Sequence, residues 1–276
     1  MKKKWFCVCV TISFLNIFLF KTALATTPKN IRITDISATE FVISWTTDFK
    51  EIGSVSFGKS DQNMSIAKDI RGDYSDYIHY IRLKSLSPET IYHFEIISGE
   101  TTDNNYGRYY SARTSEAIML PVDLCKPSGK IIKPEDSLSN SAIVYLTIFE
   151  NGEFSETKST LATNETDYTW RFDLMNFKTL NLDKKFSYVC GKSKIIVEAE
   201  SGKDGVAWML TEAVHSKNTS TFRPDMTLKD LPDPDLYGAI LVLKSLTGIG
   251  SFPVLDINND SLDVPDVLYM LMGEKK

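Results

Sequence analysis

Histidine is scarce in this chain, cysteine is sparse, and bases are outnumbered by acids. Just His79, His93 and His215 occur in 276 residues. No segment adds the several Asp, Asn and His ligands that a two-metal site needs, so binuclear hydrolysis has no residues to work with. Gly-x-Ser-x-Gly and His-Glu-x-x-His are absent from the sequence, which removes the usual signatures of esterases and zinc proteases. Carboxylates are so abundant that no Asp/Glu pair stands out as acid and base. The expectation is a protein that is not an enzyme. The competing class is an enzyme, or an accessory subunit, acting on polysaccharide or phosphoester. The histidines read as ordinary residues: His93 follows Tyr92 within a strand pattern, His79 precedes a strand, and His215 lies in a polar run.

Beyond residue 20 no apolar run suits a membrane span. Lys2, Lys3 and Lys4 precede the apolar stretch from Trp5 to Phe20, and Ala23, Leu24 and Ala25 supply the small residues of a cleavage site. Residues 1–25 therefore read as a secretory signal, with the mature chain starting at Thr26. An uncleaved membrane anchor is the alternative, but Lys21 closes the apolar core at a length short for crossing a bilayer. Cys7 and Cys9 lie inside that core rather than at a lipoprotein junction. Cleavage removes four of the 31 Lys and Arg (Lys2, Lys3, Lys4 and Lys21) and none of the 36 Asp and Glu, leaving 27 bases and a net charge of −9. Such a surface repels nucleic acid and anionic lipid. The predicted location is secreted, extracellular or at the cell surface, with the periplasm as the alternative. Cys125 and Cys190 remain as an even pair. One disulfide is predicted, worth about 3 to 4 kcal/mol by loop closure, and two free buried thiols are the alternative.

The mature chain of about 250 residues exceeds one ordinary domain. From Asn30 to Thr114 apolar residues alternate as in half-buried strands: Ile31, Ile33 and Ile36, then Phe41 to Trp45, Gly53 to Phe57, Tyr80 to Leu83 and Tyr92 to Ile96. Turn signals between such short strands indicate an antiparallel sandwich. Pro28 before the first strand, Trp45 on the second, and Leu86-Ser87-Pro88-Glu89-Thr90-Ile91-Tyr92 at the place of a tyrosine corner make residues 26–116 resemble a fibronectin type III domain. Ser44 to Asp48 followed by Gly53 to Gly58 is similar to the version in secreted bacterial proteins and ahead of purple acid phosphatase catalytic domains. The tyrosines of Tyr74 to Tyr80 and Tyr106 to Tyr110 are candidates for a sugar-stacking platform or for plain strand-edge aromatics.

A linker from Leu120 to Asp123 leads to a second β-rich unit, residues 122–223. Ser128 to Ile132, a polar loop from Glu135 to Asn140, Ala142 to Ile148, Tyr168 to Leu174 and Ile195 to Gly205 together resemble a carboxypeptidase-regulatory, prealbumin-like sandwich. Such units act as spacers or adhesive modules, and the fold alone does not say which. A Cys125–Cys190 bridge would pin the first strand of this unit, close to a strand-like Phe186 to Val189.

The composition then turns helical. Leu236, Ala239, Ile240, Leu243 and Leu246 fall on one helical face, and Gly248 ends that helix. Next comes Asp256-Ile257-Asn258-Asn259-Asp260-Ser261-Leu262-Asp263-Val264-Pro265-Asp266, followed by the apolar helix Val267 to Met272. Side-chain oxygens of Asp256, Asn258 and Asp260, the Leu262 carbonyl and the Asp266 carboxylate are the hard ligands that Ca²⁺ takes, in half an EF-hand. Ser261 stands where Gly is usual, and the closing acid comes at the eleventh position rather than the twelfth. Capping of the last helix by Asp263 or Asp266 is the alternative. Residues 227–276 resemble a dockerin-like module with one metal loop instead of two. Altogether the sequence predicts a mostly β protein: two antiparallel β-sandwiches followed by a small α-helical module. Its predicted role is non-catalytic recognition or assembly, with an extracellular or cell-surface protein, or a polysaccharide, as partner.

Overall fold

In the computed structural model the described residues are 26–118, 125–214 and 225–228. The predicted signal, the linker from Leu120 to Asp123, His215, the helix carrying Leu236 to Leu246 and the calcium loop fall outside them. The described chain is built of β-strands, and all but one of the pairings between them are antiparallel. Seven strands form the first group: β1 (Lys29–Thr34), β2 (Phe41–Gly58), β3 (Ser65–Lys68), β4 (Ser75–Leu83), β5 (Ile91–Ser98), β6 (Thr101–Asp103) and β7 (Tyr110–Arg113).

Strand β2 joins two sheets. Its first half pairs with β1 and β4, while Gly53 to Gly58 pairs with β3 and β5. Between these two layers lie Phe41, Ile43, Trp45, Val55, Ile81, Phe94 and Ile96, all with no exposed surface. Gly53 sits where β2 crosses over, and a Cβ there would overlap His79 Nδ1 and approach Trp45 Cζ2 to 2.9 Å. The tyrosine corner is present: the Ser87 backbone N–H donates to the Tyr92 hydroxyl at 2.9 Å, which satisfies a polar tip on an otherwise buried ring.

The second group comprises β8 (Ser128–Ile132), β9 (Ser141–Glu150), β10 (Glu153–Thr163), β11 (Thr169–Arg171), β12 (Lys194–Glu200), β13 (Val206–Glu212) and β14 (Asp225–Thr227). One sheet runs β10-β9-β12-β13 and the other β11-β8-β14, where β14 lies parallel to β8. Val144, Leu146, Ile148, Trp170, Phe177 and Val197 fill the space between them. Asn151 and Gly152 connect β9 to β10 with φ of 52° and 83°, the left-handed pair that a tight two-residue hairpin requires. Cys125 and Cys190 form a disulfide with Cα atoms 5.8 Å apart, and it ties the segment entering β8 to the turn preceding β12.

Two expectations fail locally. Phe186 to Val189 is not a strand: Lys185 makes one isolated bridge to Lys178, Phe186 donates its N–H to the Phe177 carbonyl, and the ladder stops there. The first group is also not half-buried throughout. Every residue from Phe41 to Thr47 is buried, because the outward face of β1, β2 and β4 is covered by the sheet containing β9. Ile143 and Tyr145 of β9 pack there on Val42, Ile78 and Tyr80 in a separate apolar cluster, with Leu161 of β10 at its margin.

Candidate functional site: the seam and its cleft

The residues singled out by sequence scatter. All five predicted calcium ligands, Asp256, Asn258, Asp260, Leu262 and Asp266, lie outside the described residues. Among the described residues no group of three or more His, Cys, Asp or Glu is placed to hold a metal ion. His79 does not precede a strand but lies inside β4. There it has no exposed surface, stacks on Trp45 with ring centroids 4.9 Å apart, and places Nε2 3.2 Å from Thr47 Oγ1. Its Nδ1 is buried without a hydrogen-bond partner, and burial lowers its pKa from 6.5 to about 4. His93 is a half-buried residue of β5.

The tyrosines do not share one face. Tyr80 is buried between the two groups of strands, whereas Tyr77 carries Lys50 and Lys203 ammoniums about its ring. Tyr110 stacks on Phe94 at 5.4 Å and donates to Asp103, and Tyr106 is 99 % exposed at a turn.

The seam between the groups carries the densest chemistry in the described chain. Around its apolar centre, Ser44 Oγ lies 2.9 Å from the Tyr145 hydroxyl, and Tyr80 donates to the Ser159 carbonyl at 3.1 Å. Arg32 of β1 stacks 4.1 Å over the Tyr145 ring and pairs with Glu198 at 2.7 Å. At one end the Arg71 guanidinium meets Asp69 with two bonds of 2.8 Å and Asp76 with a third, then reaches Ser141 across the seam at 3.1 Å. Ser139 donates to Asp76 from the other side at 2.9 Å. Beside it Lys133 pairs with Asp204 at 2.8 Å, both nearly buried. The Arg71 and Lys133 ion pairs each lie within one group, while Arg32–Glu198, Arg71–Ser141 and Ser139–Asp76 cross from one group to the other.

At the opposite end the seam opens into a cleft of about 340 Å³. The first group contributes Asp35, Ser37, Glu40 and Arg82, and the second Lys158, Arg171, Asp173 and Asn176, with Phe172 and Lys178 behind them. Each acid on this lining is already engaged. Asp35 accepts from the Ser159 amide and hydroxyl at 3.0 and 2.6 Å, Glu40 lies 3.4 Å from Arg82, and Asp173 lies 3.0 Å from Lys126. Lys178 is buried, donating to the Ile36 carbonyl and to Ser115, and desolvation lowers its pKa. Glu156 beneath accepts the Lys178 amide at 2.9 Å and lies 3.4 Å from Lys158. Burial raises its carboxyl pKa against the pull of Lys158 and Lys178. The Arg171 guanidinium is exposed and has no hydrogen-bond or ion-pair partner among the described residues.

None of these cleft residues stands out in the sequence. The one advance sign of the seam is the near-continuous apolar run Ala142 to Ile148, interrupted only by Thr147, which is the pattern of a strand covered on both faces.

No family model matches the chain, and no curated protein matches it. Among solved structures, the sensor domain of the anti-sigma factor RsgI4 of Pseudobacteroides cellulosolvens is 16 % identical, covering 35 % of this chain and 100 % of that one with a TM-score of 0.25. The FN1–FN3 domains of chicken CNTN1 are 16 % identical over 70 % of this chain and 67 % of theirs, with a TM-score of 0.26. A segment of two fibronectin type III domains from chicken tenascin is 12 % identical, covering 67 % and 98 % with a TM-score of 0.22. Likenesses at this level carry no inference about ligand or partner.

Proposed function

We propose that this chain is an exported, non-catalytic recognition or assembly protein, built of a fibronectin type III-like sandwich (residues 26–116), a second sandwich (122–223) and a calcium-stabilised carboxyl-terminal docking module (227–276). The observation that carries the reading is the seam. Two sandwiches joined face to face through an apolar patch and paired buried charges make a rigid platform, and rigidity lowers the entropic cost of holding a partner. The Cys125–Cys190 disulfide favours an oxidising compartment. No helix among the described residues is long and apolar enough to cross a membrane. Every carboxylate on the cleft lining already has a partner, which favours binding over acid-base catalysis.

Pull-down of the mature chain from the native secretome, with and without millimolar calcium, is the direct test. A partner retained only with calcium, and lost in Asp256→Ala, is the expected result. Turnover of a phosphoester or glycoside that disappears on a point substitution in this chain would overturn the reading. The second reading, a polysaccharide-binding accessory subunit, is favoured by the polar cleft.

A further inference from the structure

We propose that the seam cleft binds an acidic saccharide unit, a uronate-type sugar, with its carboxylate on Arg171 and Lys158 and its hydroxyls on the other polar side chains of the lining. The inference rests on the recognition reading above and supplies its ligand class.

Three observations carry it. The first is the local charge: Arg82, Lys158, Arg171 and Lys178 line the cleft together with Asp35, Glu40 and Asp173, in a chain whose net charge is −5. The second is how those charges are used. The three acids are held by Ser159, Arg82 and Lys126, while the Arg171 side chain has no partner among the described residues and Lys158 has a 3.4 Å approach to the shared Glu156 and a place 5.8 Å over the Phe177 ring. A planar guanidinium fork beside an ammonium is suited to a bidentate oxyanion. The third is the remaining lining. A carboxylate offers about four acceptor sites, so Glu40 and Asp173 keep lone pairs for hydroxyl donors after their present bonds. Ser37 and Asn176 add groups that both donate and accept. One anionic group surrounded by hydroxyl donors is the chemistry this lining matches. At about 340 Å³ the cleft lies at the small end of ligand sites and fits one or two sugar units rather than a long chain segment.

The cleft exists only while both sandwiches are in register. Arg82 and Glu40 come from one and Lys158 and Arg171 from the other, which gives the buried charge pairs elsewhere in the seam a role in keeping the two walls aligned.

The test is titration of the full mature chain with sodium glucuronate at low ionic strength, followed by calorimetry or saturation-transfer NMR, with glucose and inorganic phosphate in parallel arms. Glucuronate should bind, and glucose should bind at least about tenfold more weakly, the factor expected from losing one charge-assisted hydrogen bond. Arg171→Ala and Lys158→Gln should each weaken glucuronate about tenfold or more, and added salt should weaken it progressively. Arg171 is exposed, so its variant should melt with the parent and report on binding alone. Phosphate binding as tightly as glucuronate would mark a bare anion site and overturn the saccharide claim. Equal binding of glucose would remove the role of charge. Binding of a secretome partner with glucuronate ignored would leave the recognition reading standing and sink this one, whereas turnover of a sugar would sink both.

Discussion

Arg71→Ala should destabilise the protein by about 4 kcal/mol, chiefly because it leaves two buried acids without the cation that pairs with both of them. The guanidinium is 12 % exposed, and the side chains of Asp69 and Asp76 are 0 % and 2 % exposed. In the variant Asp69 keeps the amides of Tyr80 and of residue 71 as donors, and Asp76 keeps the Tyr77 amide and the Ser139 hydroxyl. Both carboxylates then stay buried and uncompensated, and breaking a buried pair in this way costs about 3 to 5 kcal/mol. The Ile78 carbonyl and Ser141 hydroxyl are deprived of a donor as well, at 2.6 and 3.1 Å. With a urea slope of about 2 kcal/mol/M, the unfolding midpoint falls by about 2 M. Arg71→Lys should recover part of this, since an ammonium restores the charge without the fork. Unfolding should stay a single transition because the apolar patch of Val42, Ile78, Tyr80, Ile143 and Tyr145 still couples the sandwiches. A destabilisation below about 1 kcal/mol for Arg71→Ala would refute the claim that these charges are desolvated and mutually dependent.

His79 supplies a pH test. Its folded pKa near 4 lies below the ordinary 6.5, so between those values the unfolded chain takes up a proton that the native state refuses, and stability falls with pH by about 3 kcal/mol. His79→Gln should flatten that limb in urea melts run from pH 7 to 4, and an unchanged slope would contradict it. Tyr92→Phe leaves the Ser87 amide without its acceptor and should cost about 1 to 3 kcal/mol by the same assay. Reducing the Cys125–Cys190 bridge, which spans 65 residues, should lower stability by about 4 kcal/mol, and non-reducing peptide maps of exported protein should contain the linked pair. Calcium should bind the full chain with a dissociation constant on the order of 10⁻⁴ to 10⁻³ M. Asp260→Ala should abolish the calorimetric heat, and Asp263→Ala should leave it.

Sequence reasoning reaches the strands whose faces differ. Tyr92 to Ile96 alternates and is a strand buried on one side, and Leu86 to Tyr92 marks its corner through a single ring that needs a backbone donor. It reaches less where tertiary packing overrides the period. Phe41 to Thr47 is buried on both sides because a second sheet lies against it, and the polar residues on that outer face, Ser44 and Thr46, look solvated until their cover is known. Hairpin β9–β10 is legible in principle from Asn151-Gly152 following the apolar run that ends at Phe149.

The cleft is not legible at all, for a reason specific to its construction. Glu40 and Arg82 lie more than 70 residues from Lys158 and Arg171, on ordinary charged surface positions that periodicity assigns to solvent. They become a site by juxtaposition, and the juxtaposition is set elsewhere, by Tyr145 against Ser44 and Arg32, by Arg71 against Ser141 and by Asp76 against Ser139. A binding surface made in this way should respond to substitutions in the seam that touch no ligand. Weakening the Arg71 network should therefore reduce glucuronate binding as well as stability, even though Arg71 is not part of the cleft lining. If Arg71→Ala, held under conditions where it remains fully folded, binds glucuronate as tightly as the parent, the two walls are aligned by the apolar patch alone and the buried charges serve stability only.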